Sequence, residues 1–106
     1  MTRIGPRLFD TFGPLPDDEV KARIQNLYVE LGNNPQAQGY IINYGTDKEI
    51  ANRERQIRKA ITFLKLDPSR VTLVRGGANP SGETGVFTRV WIVPPGADNP
   101  TPDRTQ

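Results

Sequence analysis

Apolar residues recur along this chain with two different periods, and the switches between them outline its elements. Near the start, Arg7-Leu8-Phe9-Asp10-Thr11-Phe12 carries the aromatic and β-branched residues that favour a strand. Gly13-Pro14-Leu15-Pro16 stops it, since proline donates no ladder hydrogen bond, and Asp17 follows as the expected helix N-cap. From Asp18 onward, Val20, Ile24, Leu27, Tyr28 and Leu31 fall on one helical stripe. The acidic run Asp17-Asp18-Glu19 sits where the helix dipole is positive. Gly32 is the expected stop and Asn33-Asn34-Pro35 a turn.

The period then shortens. Gly39-Tyr40-Ile41-Ile42-Asn43-Tyr44-Gly45 reads as a buried central strand bounded by glycines. Thr46-Asp47-Lys48-Glu49 has the form of a capping box, which predicts a second helix with Ile50, Ile57, Ile61 and Leu64 inward and Ala60 beside them. Glu49 with Arg53, and Glu54 with Arg58, stand four residues apart and are expected to pair on its outer side. Asp67-Pro68-Ser69 ends the helix. Arg70-Val71-Thr72-Leu73-Val74-Arg75 predicts a third strand, residues 76–85 a glycine-rich loop, and residues 86–93 a fourth strand stopped by Pro94-Pro95.

The predicted order is β-α-β-α-β-β. Strands joined through helices are expected to run parallel and the last two to form a hairpin. The fold class is therefore a two-layer α/β sandwich, with two helices packed on one face of a mixed four-stranded sheet. Its expected limits are a flexible lead-in over residues 1–8, a single domain over 9–93, and a flexible proline-containing tail over 94–106.

Composition narrows the chemistry more than it names it. With 106 residues the chain fits one domain. It has no cysteine and no histidine, which removes thiolate chemistry, the commonest general base and the usual zinc ligands. No phosphate loop, serine elbow or metal-ligand cluster is apparent, so an enzyme is not expected, nor a cofactor or a metal. Fourteen basic residues face twelve acidic ones, too even a balance to predict nucleic-acid binding. No stretch approaches the ~20 apolar residues of a membrane span, and residues 1–6 lack the apolar run of a secretory leader. An envelope location would need a leader or anchor from outside this stretch.

Several local patterns have a binding reading beside a structural one. Gly45-Thr46-Asp47 opens a helix and could present N–H groups to an anion, although Thr46 serves equally as a cap. Arg55, Arg58, Lys59 and Lys65 gather on one side of the second helix, as a weak anion site or as a solvated face. Arg75-Gly76-Gly77 reads as the start of a loop. Tyr40 with Tyr44, and Phe87 with Trp91 around Arg89, each share a strand face, either as sheet cover or as an aromatic surface for a partner.

Over residues 39–93 the chain also resembles the OmpA-like, peptidoglycan-associated domain of bacterial outer-membrane proteins and lipoproteins. The features that carry the likeness are the glycine-bounded strand ending in Thr46-Asp47 and the arginine-rich helix ending in Ile61-Thr62-Phe63-Leu64. Leu66-Asp67-Pro68-Ser69-Arg70-Val71 is similar to that family's "GI-x-x-x-RI" segment, and Thr88-Arg89-Val90 to its closing "RRVEI". In that family an aspartate and a helical arginine hold the diaminopimelate of the peptidoglycan stem peptide. The resemblance puts the aspartate at Asp47. Counted back from Phe63-Leu64, the arginine position falls on Gln56, with Arg55 one residue earlier and so ~100° away around the helix. What the resemblance implies is a non-catalytic cell-envelope domain, periplasmic or exposed in the envelope, with a degenerate peptidoglycan site. Asp47 would meet an amine or amide there, and Arg55 a carboxylate. The other expectation is a protein-interaction or assembly module that adds an edge strand to a neighbour or presents its aromatic face, without peptidoglycan.

Overall fold

The computed structural model describes residues 5–102, so residues 1–4 of the expected lead-in and 103–106 of the expected tail lie outside it. The elements run β1 (Arg7–Phe12), α1 (Asp17–Asn33), β2 (Gln38–Tyr44), α2 (Asp47–Phe63), a 3-10 turn (Pro68–Arg70), β3 (Val71–Gly77) and β4 (Phe87–Val93). This is the β-α-β-α-β-β order, with two helices and a mixed four-stranded sheet. Strand β1 starts at Arg7, inside the stretch read as lead-in.

The sheet order is β1-β4-β2-β3, with β4 antiparallel to both neighbours and β2 parallel to β3. The expected β3–β4 hairpin does not form. Strand β4 carries Phe87, Val90, Trp91, Ile92 and Val93, apolar on both faces, and such a strand gains most from a central place with a ladder on each side. Residues 78–86 have ample reach for the ~10 Å across β2 to get there.

Phe12, Ile41, Val90 and Ile92 on one sheet face pack against Val20, Ile24, Leu27 and Leu31 of α1 and Ile57, Ala60 and Ile61 of α2. The shortest dimension is 17 Å, the thickness of these two layers. By strand alternation the opposite face carries Tyr40, Ile42 and Tyr44 of β2 beside Phe87, Arg89 and Trp91 of β4. The Arg89 guanidinium lies 5.5 Å from the centroids of both the Tyr44 and Phe87 rings.

The start of α1 departs from expectation, and that of α2 follows it. Pro16, not Asp17, occupies the N-cap position of α1; its carbonyl accepts from Glu19 N and Val20 N, and Asp17 is the first helical residue. Helix α1 also runs through Gly32 to Asn33. At α2 the capping box is complete, with Thr46 Oγ1 accepting from Glu49 N at 3.1 Å and Thr46 N donating to Glu49 Oε1 at 2.9 Å. That spends the Glu49 carboxylate, so its expected pair with Arg53 is not made; Arg53 is buried at 1% exposure. The Glu54–Arg58 pair is present at 4.0 Å, but Glu54 is itself buried.

Gly76 belongs to β3 rather than to the loop, and its missing side chain is what lets the Tyr44 ring lie against the sheet. A Cβ there would stand 2.5 Å from Tyr44 Cε1 and 2.8 Å from Ile42 Cγ2. We expect Gly76→Ala to lower stability by about 1–3 kcal/mol in urea unfolding followed by Trp91 fluorescence. Gly32→Ala, in open helix surface with nothing within 4 Å, is expected instead to stabilise by about 0.5–1 kcal/mol.

Tyr28 OH donates to the Asp67 carbonyl at 2.7 Å, joining α1 to the turn before β3. Burial, with the Asp67 carboxylate adding to it, pushes the phenol up to about 12. A raised phenol pKa means the folded state keeps its proton after the unfolded chain has lost it. This contribution is therefore full below about pH 10 and disappears as pH rises towards 12. Tyr28→Phe should cost about 1 kcal/mol at neutral pH. The gap between the two proteins should close in urea titrations taken through that alkaline window.

Candidate functional site

Helix α2 has three working sides. Ile50, Ile57, Ala60 and Ile61 face the sheet and are buried. A second side meets α1 and the 13–16 loop through Arg53 and Gln56. The third carries Asp47, Ala51, Arg55, Arg58 and Thr62, which the helical rotation of ~100° per residue gathers on one flank.

On the second side, Arg53 donates from Nε to Gln56 Oε1 at 3.0 Å, from one terminal nitrogen to Thr88 Oγ1 at 2.6 Å, and from the other to the Gly13 carbonyl at 2.7 Å. Its guanidinium lies 4.8 Å from the centroid of the Phe12 ring. Desolvation lowers its pKa to about 10, which still leaves it charged at neutral pH. All three acceptors are neutral. Gln56 then donates to the Leu15 carbonyl at 3.0 Å and to Asp17 Oδ1 at 2.9 Å. Gln56 and Lys59 together hold the Asp17 carboxyl below its ordinary range. Gln56 is thus spent on joining the helices, and its side chain is turned away from the outer flank.

On the outer flank, Asp47 is the first residue of α2 and exposed. Arg55, also exposed, donates to Asn52 Oδ1 at 2.7 Å. Eight residues separate the two, about 12 Å along the axis, so the fold puts them on one flank without bringing them into contact. Among the described residues neither takes part in an ion pair.

The same flank holds a contact between helix and strand that the sequence reading did not foresee. Glu54 grips Arg75 of β3 in a two-point pair, Oε1 to the terminal nitrogen at 2.9 Å and Oε2 to Nε at 3.2 Å. Glu54 foremost, with a smaller pull from Asp47, raises the Arg75 pKa. Between α2 and Arg75 runs a shallow groove of about 640 Å³. Arg55, Arg58, Lys59 and Arg75 line it beside the single carboxylate of Glu54, and Phe63 closes one end at 70% exposure. Lys21 Nζ stands 3.9 Å from the Phe63 ring centroid. Lys65, grouped with the basic face from sequence, lies past the end of α2 and does not line the groove. The turn at Gly45-Thr46-Asp47 is occupied by its own capping box.

No helix among the described residues is long and apolar enough to cross a membrane. What fold and flank define is a two-layer α/β domain with a basic groove along its second helix. No family model matches the chain, and no curated protein or solved structure matches it either.

The inner side generates a stability prediction. Arg53→Ala leaves the Thr88 hydroxyl and Gly13 carbonyl without their donor and empties a buried volume, so it should cost about 3–5 kcal/mol. Gln56→Leu removes one acceptor from Arg53 and the bridge to Asp17, and should cost about 1–2 kcal/mol. Both are read as shifts of the urea midpoint.

Proposed function

We propose that this chain is a non-catalytic domain of the bacterial cell envelope, similar to OmpA-like domains, that holds a peptidoglycan stem peptide between Asp47 and Arg55. The observation that carries the reading is the flank of α2 on which these two oppositely charged residues stand exposed, at positions about 12 Å apart along the helix axis. That distance is the span of roughly four extended residues, so the pair suits two separate groups of one short peptide. Asp47 takes an amine or amide and Arg55 a carboxylate. The fold that the resemblance implies, two helices on one face of a mixed four-stranded sheet, is the fold of this chain, and it adds support. Gln56 is no part of this site, since its amide is committed to Asp17 and Leu15.

The test is co-sedimentation of the purified chain with peptidoglycan sacculi, beside an intact OmpA-like domain as positive control. The chain is expected to pellet, with Asp47→Ala and Arg55→Ala each reducing the pelleted fraction severalfold at unchanged stability. A chain that stays in the supernatant while the control pellets overturns the proposal. One observation favours the alternative of an assembly module: Leu8, Tyr40, Phe87 and Trp91 lie on the sheet face that neither helix covers, and Leu8 is 46% exposed.

A further inference from the structure

The groove between α2 and β3 has a composition that the cell-wall reading does not use. Along its length, from Ala51 to Phe63, the helix rises by about 18 Å, which matches five to six residues of an extended peptide. Four cations line it beside one carboxylate. That carboxylate, Glu54, is buried and turned onto Arg75, so it does little to mask the solvent side of Arg58, whose guanidinium is 4.0 Å from it and 65% exposed. Lys59 reaches to Asp17 on the opposite side, at 3.2 Å, between two largely exposed groups that water screens.

At the far end the chemistry changes. Phe63, the most exposed of the large apolar side chains among the described residues, stands beside Thr62 at the end of α2. The Lys21 ammonium lies against its ring from the α1 side, which limits where the ring can turn. A groove that is cationic along its length and aromatic at its end is complementary to an acidic segment followed by an apolar residue.

We propose that this groove docks an acidic, extended peptide segment of a partner protein, with an apolar residue of the partner on Phe63. The carboxylates of alternate peptide residues point the same way, ~7 Å apart, and can meet Arg55 and Arg58 on the helix and Arg75 on the strand. The fit is to carboxylates more than to a nucleic acid. The net charge is only +2, and the groove offers one aromatic ring where a single strand needs a stacking series. The proposal shares Arg55 with the stem-peptide reading and is otherwise independent of it.

The experiment is fluorescence anisotropy of the full chain with a fluorescein-labelled hexapeptide carrying glutamate at alternate positions and a terminal leucine. The same peptide with glutamine replacing glutamate is the control. No cell wall is present, so the result is read separately from sedimentation with sacculi. The glutamate peptide should bind at least about tenfold more tightly than the glutamine one, and the difference should shrink between about 50 and about 300 mM salt. The double charge reversal Arg55→Glu with Arg58→Glu, both on exposed helix surface, should weaken binding about tenfold or more. Phe63→Ser should weaken it about threefold to tenfold and leave the salt dependence in place. Equal binding of the two peptides, or no response to the charge reversal, overturns the proposal. Tighter binding of a labelled single-stranded oligonucleotide of six nucleotides overturns it in favour of a nucleic-acid groove.

Discussion

A guanidinium buried with no counter-ion among the described residues is the constraint around which the rest of this domain is arranged. Arg53 is 1% exposed and its acceptors are an amide, a hydroxyl and a peptide carbonyl. Burying a charge costs several kcal/mol, and neutral acceptors recover that cost only if each is held in place by something else. Each is. Gln56 is fixed by Leu15 and Asp17, Thr88 donates to Asn43 Oδ1 at 2.7 Å, and Gly13 directly follows β1 and the Phe12 ring that the guanidinium faces. One side chain on α2 therefore joins the β1–α1 loop, the start of α1, β4 and, through Thr88, β2. The Phe12 ring also has the Arg23 guanidinium 5.3 Å from its centroid, and Arg23 is paired with Asp10 at 2.8 Å. The same corner is thus tied a second time, this time with a carboxylate in place.

Fixing Arg53 and Gln56 fixes the rotation of α2, and that decides what the outer flank presents. A rotation of one residue step would move ~100° of surface and bring Glu54 out to solvent. Held as it is, α2 keeps Glu54 against the β3 edge, where its carboxylate organises Arg75 into the wall of the groove. The groove is thus a by-product of an internal network, with no contact of its own to any ligand needed to keep it open. Of its cations Arg75 is held by Glu54 and Lys59 reaches Asp17, which leaves the exposed sides of Arg55 and Arg58 facing solvent.

The helices and strands were legible because they follow from periodicity: the stripe Val20, Ile24, Leu27, Leu31 and the complete capping box at Thr46 stand where the pattern puts them. The sheet order was not, because strand sequence says which segments pair-form but not which of them takes the centre. Residues 78–86 are long enough for either a hairpin or a crossing, and only the two-sided apolar character of β4 decides it. The burial of Arg53 did leave a trace. Ile50, Arg53, Ile57, Ala60 and Leu64 step by three and four residues, so the arginine stands on the inward stripe. An expectation that arginine lies outside, supported by Glu49 four residues before it, outweighed that spacing. Glu54 was expected outside, as the partner of Arg58, for the same reason, and its grip on Arg75 left no trace, since a contact between a helix and a strand has no signature in local spacing.

The network also decides what position 56 can be. Gln56 stands at the position that the resemblance assigns to a ligand-holding arginine, and here a cation would have to share its site with the Arg53 Nε that Gln56 accepts from at 3.0 Å. A neutral acceptor is what an unpaired buried guanidinium requires of its neighbour. A second arginine would offer only donors, leaving Arg53 one acceptor short and adding like-charge repulsion in a poorly solvated place. Arginine at 53 and glutamine at 56 are therefore one physical choice rather than two separate departures. With Arg53 inside, position 56 becomes structural. Any cation that meets a ligand on this helix must then come from the outer flank, where Arg55 and Arg58 stand.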